Sequence, residues 1–197
     1  MIKTLFITFI TIFTLTGCIS ITKELPSQKT YTLSFKNDNL KSKYLHKTIH
    51  IYEPKALTSI NTKAITYAKN FEQEKYVLSK WSDKPTKMIQ EITADYLTKQ
   101  NSFKYITTSN IKVDSDYNLI SELTSFKHTF TKANSYADFS IRVYLIDNKT
   151  DEVYFKSFTY NKQAVSNNAK GAVDSFNILI DTYLKDLNLF IQKSISK

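Results

Sequence analysis

The stretch Ile65–Leu97, ITYAKNFEQEKYVLSKWSDKPTKMIQEITADYL, is the segment the rest of the chain has to be built around. Ile65–Lys69 and Lys75–Trp81 are rich in β-branched and aromatic residues and read as two strands. The polar run Asn70–Glu74 between them reverses the chain. In Ser82-Asp83-Lys84-Pro85, Ser82 or Asp83 is placed to cap a helix and Pro85 to occupy its first turn. Met88, Ile89, Ile92, Tyr96 and Leu97 then fall on one face of a helix over about 85–100. A strand pair feeding an amphipathic helix is a compact unit onto which further strands can be laid.

The amino terminus carries a different signal. Met1-Ile2-Lys3 is followed by the apolar run Leu5–Leu15, eleven residues long. That is too short for a membrane-spanning helix, which needs about 20 residues, and the right length for the core of a secretory leader. The run ends in Leu15-Thr16-Gly17-Cys18, which resembles the bacterial lipobox, with Cys18 as the residue to be lipidated. The alternative is a buried cysteine in an amino-terminal helix, but Cys18 is the single cysteine and directly follows the leader. A single cysteine also excludes an intrachain disulfide and a cysteine-based metal site. The expected organisation is a lipoprotein signal peptide over 1–17, a lipidated tether over 18–30 with Pro26, Ser27 and Gln28, and one domain over 31–197. In bacterial lipoproteins an Asp after the cysteine marks inner-membrane retention. Ile19 and Ser20 stand here instead, which points to the outer membrane.

Further strands are expected at Tyr31–Phe35, Thr48–Tyr52 and Phe103–Thr107. Tyr117–Phe130 reads as a long strand whose apolar phase slips. Tyr117, Leu119 and Leu123 point one way and Ile120, Phe126 and Phe130 the other, so it contains a bulge or is buried on both faces. Phe139, Ile141, Val143 and Leu145 alternate with Ser140, Arg142 and Tyr144, the turn Asp147–Asp151 follows, and Val153–Tyr160 returns as a hairpin partner. A closing helix over about 171–195 presents Val173, Phe176, Ile180, Tyr183, Leu184, Leu187, Phe190 and Ile191 as one stripe, with Ile178 and Leu189 off it. The fold class is therefore α+β, a mostly antiparallel sheet packed by two main helices after a signal peptide.

Composition narrows the function classes. The formal charge is +9, yet every one of the 27 basic residues except Arg142 is lysine, scattered along the chain. Arginine is the residue suited to bidentate reading of phosphates and bases, so nucleic acid is not an expected partner. The lysines make a solvated basic surface, or one that docks on anionic headgroups or an acidic partner. With two glycines there is no phosphate-binding loop, and no nucleophile elbow occurs. His46 and His50 have a ligand-like spacing, but the second lies in a strand and no HExxH carboxylate accompanies them, so no metal is expected. His128, in a strand, reads as a surface residue. Glu72/Glu74, Asp114/Asp116 and Asp147/Asp151 lie in expected turns, where nothing apolar surrounds them and solvated carboxylates far outnumber general acids and bases. No catalytic residue and no cofactor are expected: the chain reads as a binding protein, not an enzyme.

Tyr67, Tyr76, Trp81 and Pro85, followed by the helix with Met88, Ile89, Ile92 and Leu97, resemble the core pattern of the ABC-type transport auxiliary lipoprotein family, which includes paraquat-inducible protein C. Tyr31-Thr32-Leu33 matches the family's Y-x-L strand downstream of the lipobox. The likeness is close only over Tyr67–Leu97, and the further Pro and Arg usual around these strands are missing. The resemblance implies an α+β domain and a lipid-anchored periplasmic accessory subunit of an ABC/MCE-type phospholipid transport system. Its partners would be an MCE-domain protein and an ABC permease/ATPase complex, with a homo-oligomer allowed because family members form rings. Tyr67, Tyr76 and Trp81 are candidates for partner contact or, alternatively, core residues that pack the helix on the sheet. The alternative function is a structural or assembly lipoprotein of the envelope without lipid cargo.

Overall fold

The computed structural model describes residues 26–36, 42–108 and 114–196. The leader, Cys18 and the first part of the tether lie outside the described residues. The elements in chain order are β1 (Lys29–Tyr31), β2 (Thr48–Ile51), β3 (Lys55–Ala56), β4 (Ala64–Lys69), β5 (Glu72–Trp81), α1 (Pro85–Lys99), β6 (Tyr105–Thr107), β7 (Tyr117–Phe130), β8 (Ser135–Asp147), β9 (Val153–Gln163) and α2 (Ala169–Ile195). This is an α+β fold with a mixed, mostly antiparallel sheet.

The sheet is organised on β7. One edge of β7 pairs antiparallel with β8 along its whole length, and β8 pairs in the same way with β9. Along the other edge three short strands dock parallel, one after another: β2 at Tyr117–Leu119, β3 at Glu122–Leu123 and β4 at His128–Phe130. The chain from β2 to β4 is in effect one strand interrupted by Pro54, which has no N–H to give to a ladder, and by the loop 57–63. Beyond β2 lies β6, and beyond β4 lie β5 and then β1, so the sheet forks.

The phase slip in β7 is a bulge. Leu123 pairs with Ile141 and Ser125 with Ser140, which leaves Thr124 unpaired and exposed. Before it Tyr117, Leu119 and Leu123 are buried; after it Phe126 is buried on the same side. Phe126 therefore does not face away from Leu123, because the extra residue reverses the alternation. On β8 every second residue from Ser135 to Leu145 is buried, as a strand with one covered face requires.

Both helices cover that face. On α2, Phe176 stacks on Phe126 with ring centroids 4.2 Å apart, and Tyr183 meets Phe139 and Phe158 edge-on. Ile178 and Leu189 stay exposed, off the stripe. The helix begins at Ala169, because the Asn168 side chain accepts a hydrogen bond from the Gly171 N–H at 3.0 Å. A Cβ on Gly171 would lie 2.2 Å from the Ser166 carbonyl oxygen, so only glycine fits under the β9–α2 loop.

Helix α1 starts at Pro85, but neither Ser82 nor Asp83 caps it. Lys84 holds the cap position without a side-chain bond, and Asp83 instead accepts from the Lys84 N–H. Gln90, buried, donates to the Ile51 and Thr108 carbonyls and ties α1 to the ends of the β2–β6 branch. Other bounds move by a few residues. β1 precedes the expected Tyr31–Phe35, and residues 32–36 lie outside any strand. Instead the Ser34 and Lys36 N–H groups donate to Asn177 and Asp181 of α2. The turn after β4 is only Asn70-Phe71, with Asn70 at φ 58°, a left-handed conformation that asparagine tolerates.

Candidate functional site: an aromatic hairpin over a buried histidine

The β4–β5 hairpin carries Tyr67 and Tyr76 side by side, their ring centroids 4.8 Å apart. Tyr67 also meets Phe130 of β7 edge-on at 5.6 Å, and its hydroxyl donates to the Glu74 carboxylate. Both tyrosines are half-buried, so the cluster presents rings to solvent as well as to the sheet. Trp81, at the far end of β5, is only 2% exposed. It packs beside the Phe126–Phe176 stack, 5.4 and 5.9 Å from the two rings, where it joins the hairpin to the core under α2. The sequence thus places the three candidate contact residues on one hairpin, with the two tyrosines together and the tryptophan apart from them.

Beneath the tyrosines sits His128, which is fully buried and not a surface residue. The bulge at Thr124 turns it to the covered side together with Phe126. Its Nδ1 lies 2.7 Å from the Tyr76 hydroxyl, and its Nε2 has no hydrogen-bond partner among the described residues. Burial pushes the imidazole pKa down to about 4, against a weaker upward pull from the Asp138 carboxylate. Burial likewise pushes the Tyr76 phenol up to about 12. At neutral pH both are uncharged, and the pair is a neutral hydrogen bond that fixes the Tyr76 ring. What such a site can do is hold an aromatic surface in one orientation. The signal that finds His128 is the phase slip itself: the extra residue at Thr124 brings Phe126, and with it His128, to the side of Leu123.

The other candidates are structural where the chain is described. His50 bonds Thr107 through Nδ1 at 2.8 Å between β2 and β6, and burial lowers its pKa; His46 packs its ring against Tyr44. No group of three His, Cys, Asp or Glu side chains able to hold a metal ion occurs among the described residues. For Asp116, burial raises the pKa, but hydrogen bonds from Thr48 and Lys149 outweigh it and hold the carboxyl below its ordinary value. Asp147 accepts from the Lys149 and Thr150 N–H groups and shapes the β8–β9 turn.

The β5 strand departs from regular pairing beside this cluster. Thr66 faces Lys75 while Ala64 faces Lys80, so Tyr76–Ser79 lie opposite Ile65 alone. The irregularity turns Val77 and Leu78 both outward, and Val77 is 82% exposed. The sequence carried no turn or glycine signal for it.

No protein-family model matches the sequence, and no curated protein matches it. Among solved structures, the chain is similar to protein XCC0632 of Xanthomonas campestris, described as a DUF330 family protein. The TM-score is 0.75 at 14% identity, over 86% of this chain and 100% of that one. An uncharacterised protein matches with TM-score 0.63 at 9% identity, over 86% of this chain and 99% of its own. The hypothetical protein CT253 of Chlamydia trachomatis matches with TM-score 0.55 at 10% identity, over 77% and 98%. At these identities the three show a shared fold.

Proposed function

We propose that this chain is a lipid-anchored envelope lipoprotein that serves as the accessory subunit of an ABC/MCE-type phospholipid transport system. The observation that carries the anchored part is the apolar run Leu5–Leu15 ending in Leu15-Thr16-Gly17-Cys18, which puts the lipid on Cys18. Two or more acyl chains hold a protein stably at a membrane where a single one is marginal. No helix among the described residues is long and apolar enough to cross a membrane. The periplasmic face of the outer membrane is the location favoured by Ile19 and Ser20.

The transport role is supported by the likeness of the Tyr67–Leu97 pattern to the auxiliary lipoproteins and by a domain whose presented features are aromatic and apolar. On this reading Tyr67 and Tyr76 form the contact for an MCE-domain protein, held in orientation by His128, while Trp81 keeps the hairpin fixed to the core. Aromatic side chains with little conformational freedom are the usual anchors of protein interfaces. The protein binds and docks; it is not an enzyme.

Crosslinked affinity purification of the lipidated protein from its native envelope, read by mass spectrometry, is the test. Recovery of an MCE-domain protein with its ABC permease is the expected result. Recovery of outer-membrane or cell-wall proteins alone would replace the transport role with that of an envelope scaffold.

A further inference from the structure

One end of the sheet gathers several loops at a common level. Lys69 of β4 pairs with Phe130 of β7, Phe130 with Ser135 of β8, and the Ala164 N–H donates to the Ser135 carbonyl. The β4–β5 turn, the β7–β8 turn and the β9–α2 loop therefore end side by side. Each outer loop puts an apolar side chain into solvent: Phe71 is fully exposed and Val165 is 67% exposed. Lys69, Lys75, Lys132 and Lys162 lie on the strand ends and turns of this same end, with Glu72 and Glu74, of which Glu74 accepts the Tyr67 hydroxyl.

The tether leaves towards this same end. β1 runs parallel to β5, with Lys29 opposite Ser79, and the Gln28 side chain bonds the Val77 carbonyl at 3.0 Å. Followed back from Lys29 as far as Pro26, the chain therefore runs in the direction of Phe71 along β5. Ten residues separate Cys18 from Gln28, a reach of at most about 35 Å. The strand from Val77 back to the turn covers roughly 20 Å of that distance. A lipid on Cys18 can therefore reach this end with chain to spare, and residues 26–29 leave the domain in its direction.

We infer that the loop end carrying Phe71 and Val165 is a second membrane contact, seated in the interface of the bilayer that holds the Cys18 lipid. An exposed aromatic and an aliphatic side chain at an end that also carries four lysines match the chemistry of an anionic phospholipid surface, with rings at headgroup depth and ammonium groups at the phosphates. The contact fixes the tilt of the domain and leaves the Tyr67–Tyr76 cluster beside the membrane. This inference rests on the anchored reading of Cys18 and not on the transport role.

The test uses the full lipidated protein in vesicles of phosphatidylethanolamine and phosphatidylglycerol. Because acylated Cys18 has no free thiol, Phe71→Cys, Val165→Cys and Thr150→Cys each give one labelling position, the last in the β8–β9 turn at the far end. A fluorophore at 71 and at 165 is expected to be quenched by bromine-labelled acyl chains, at a depth of roughly 5–10 Å below the headgroups, and one at 150 to be untouched. Unchanged emission from buried Trp81 verifies that each variant is folded. Labels at 71 and 165 as open to water as the one at 150 would overturn the inference. Labels shielded from water yet not quenched by lipid would also overturn it, and would assign the surface to a protein or a second copy. The mass of the amino-terminal peptide separates the two readings: an unmodified Cys18 removes the anchor and this contact together, whereas an acylated Cys18 with wet labels removes only the contact.

Discussion

The β7–β9 meander and the β4–β5 arm belong to one sheet and obey different rules. In the meander, one bulge is absorbed, β8 alternates strictly, and its inner face is buried under α2. In the arm, the pairing skips between Ala64 and Thr66, two adjacent apolar residues face solvent, and the tyrosines are half covered. Both regions are β-rich and aromatic, so composition does not separate them. The difference is coverage. A helix laid across the meander makes every inward side chain contribute to stability, while the arm beyond the helix retains side chains whose burial the fold does not require. Surface kept apolar at no benefit to the fold is where contact with something else is to be sought.

Truncation along the arm sharpens this contrast. At its core end, Trp81→Ala empties the space beside the stacked Phe126 and Phe176 rings and is expected to cost about 4 kcal/mol, read as a shift of the urea midpoint. Next comes the buried imidazole. In the unfolded chain it takes a proton near pH 6.5, in the fold only near pH 4, so between those values the unfolded state binds a proton that the fold refuses. The contribution is fully present above about pH 6.5 and falls by roughly 3 kcal/mol as the pH drops to 4. Chemical denaturation of the native chain against His128→Gln isolates it, and parallel acid limbs for the two would break the assignment. Tyr76→Phe removes the hydroxyl that meets Nδ1 and leaves the imidazole without its bond, at an expected cost of about 1–3 kcal/mol. At the tip, Phe71→Ser is expected to change stability by no more than about 0.5 kcal/mol. A larger loss there would mean that the turn belongs to the core after all.

How far the amino-acid sequence reveals this arrangement follows the same division. The meander and both helices could be read because their signals are local: alternation in β8, the turn after Asp147, the stripe on α2. The slip in β7 was also visible, although it took the pairing to choose a bulge over a strand buried on both faces. The parallel docking of β2, β3 and β4 on β7 was not legible, since each is too short to carry a period and its partner is distant in the chain. His128 is hard to place from the sequence for a related reason. Its neighbours Lys127 and Thr129 are polar, and only the bulge turns it inward. Tyr67, Tyr76 and Trp81 were identifiable as belonging together, but not that the tyrosines form one layer and the tryptophan another. The expectation for Cys18 rests on its motif alone, because it lies outside the described residues.

The interrupted strand β2–β3–β4 has a consequence for how the chain reaches its native state. Its pairings, such as Ile49 with Tyr117 and Tyr67 with His128, close long loops, whereas β7, β8 and β9 meet through short turns. Loop-closure entropy favours the local hairpins first, so the meander and α2 can assemble while residues 48–69 are still waiting. Until they arrive, one full edge of β7 is an open template for any extended segment nearby. For a chain that emerges unfolded on the far side of a membrane, the slow step would be the settling of its own amino-terminal half onto that edge. The hazard in the interval would be a neighbouring copy settling there in its place.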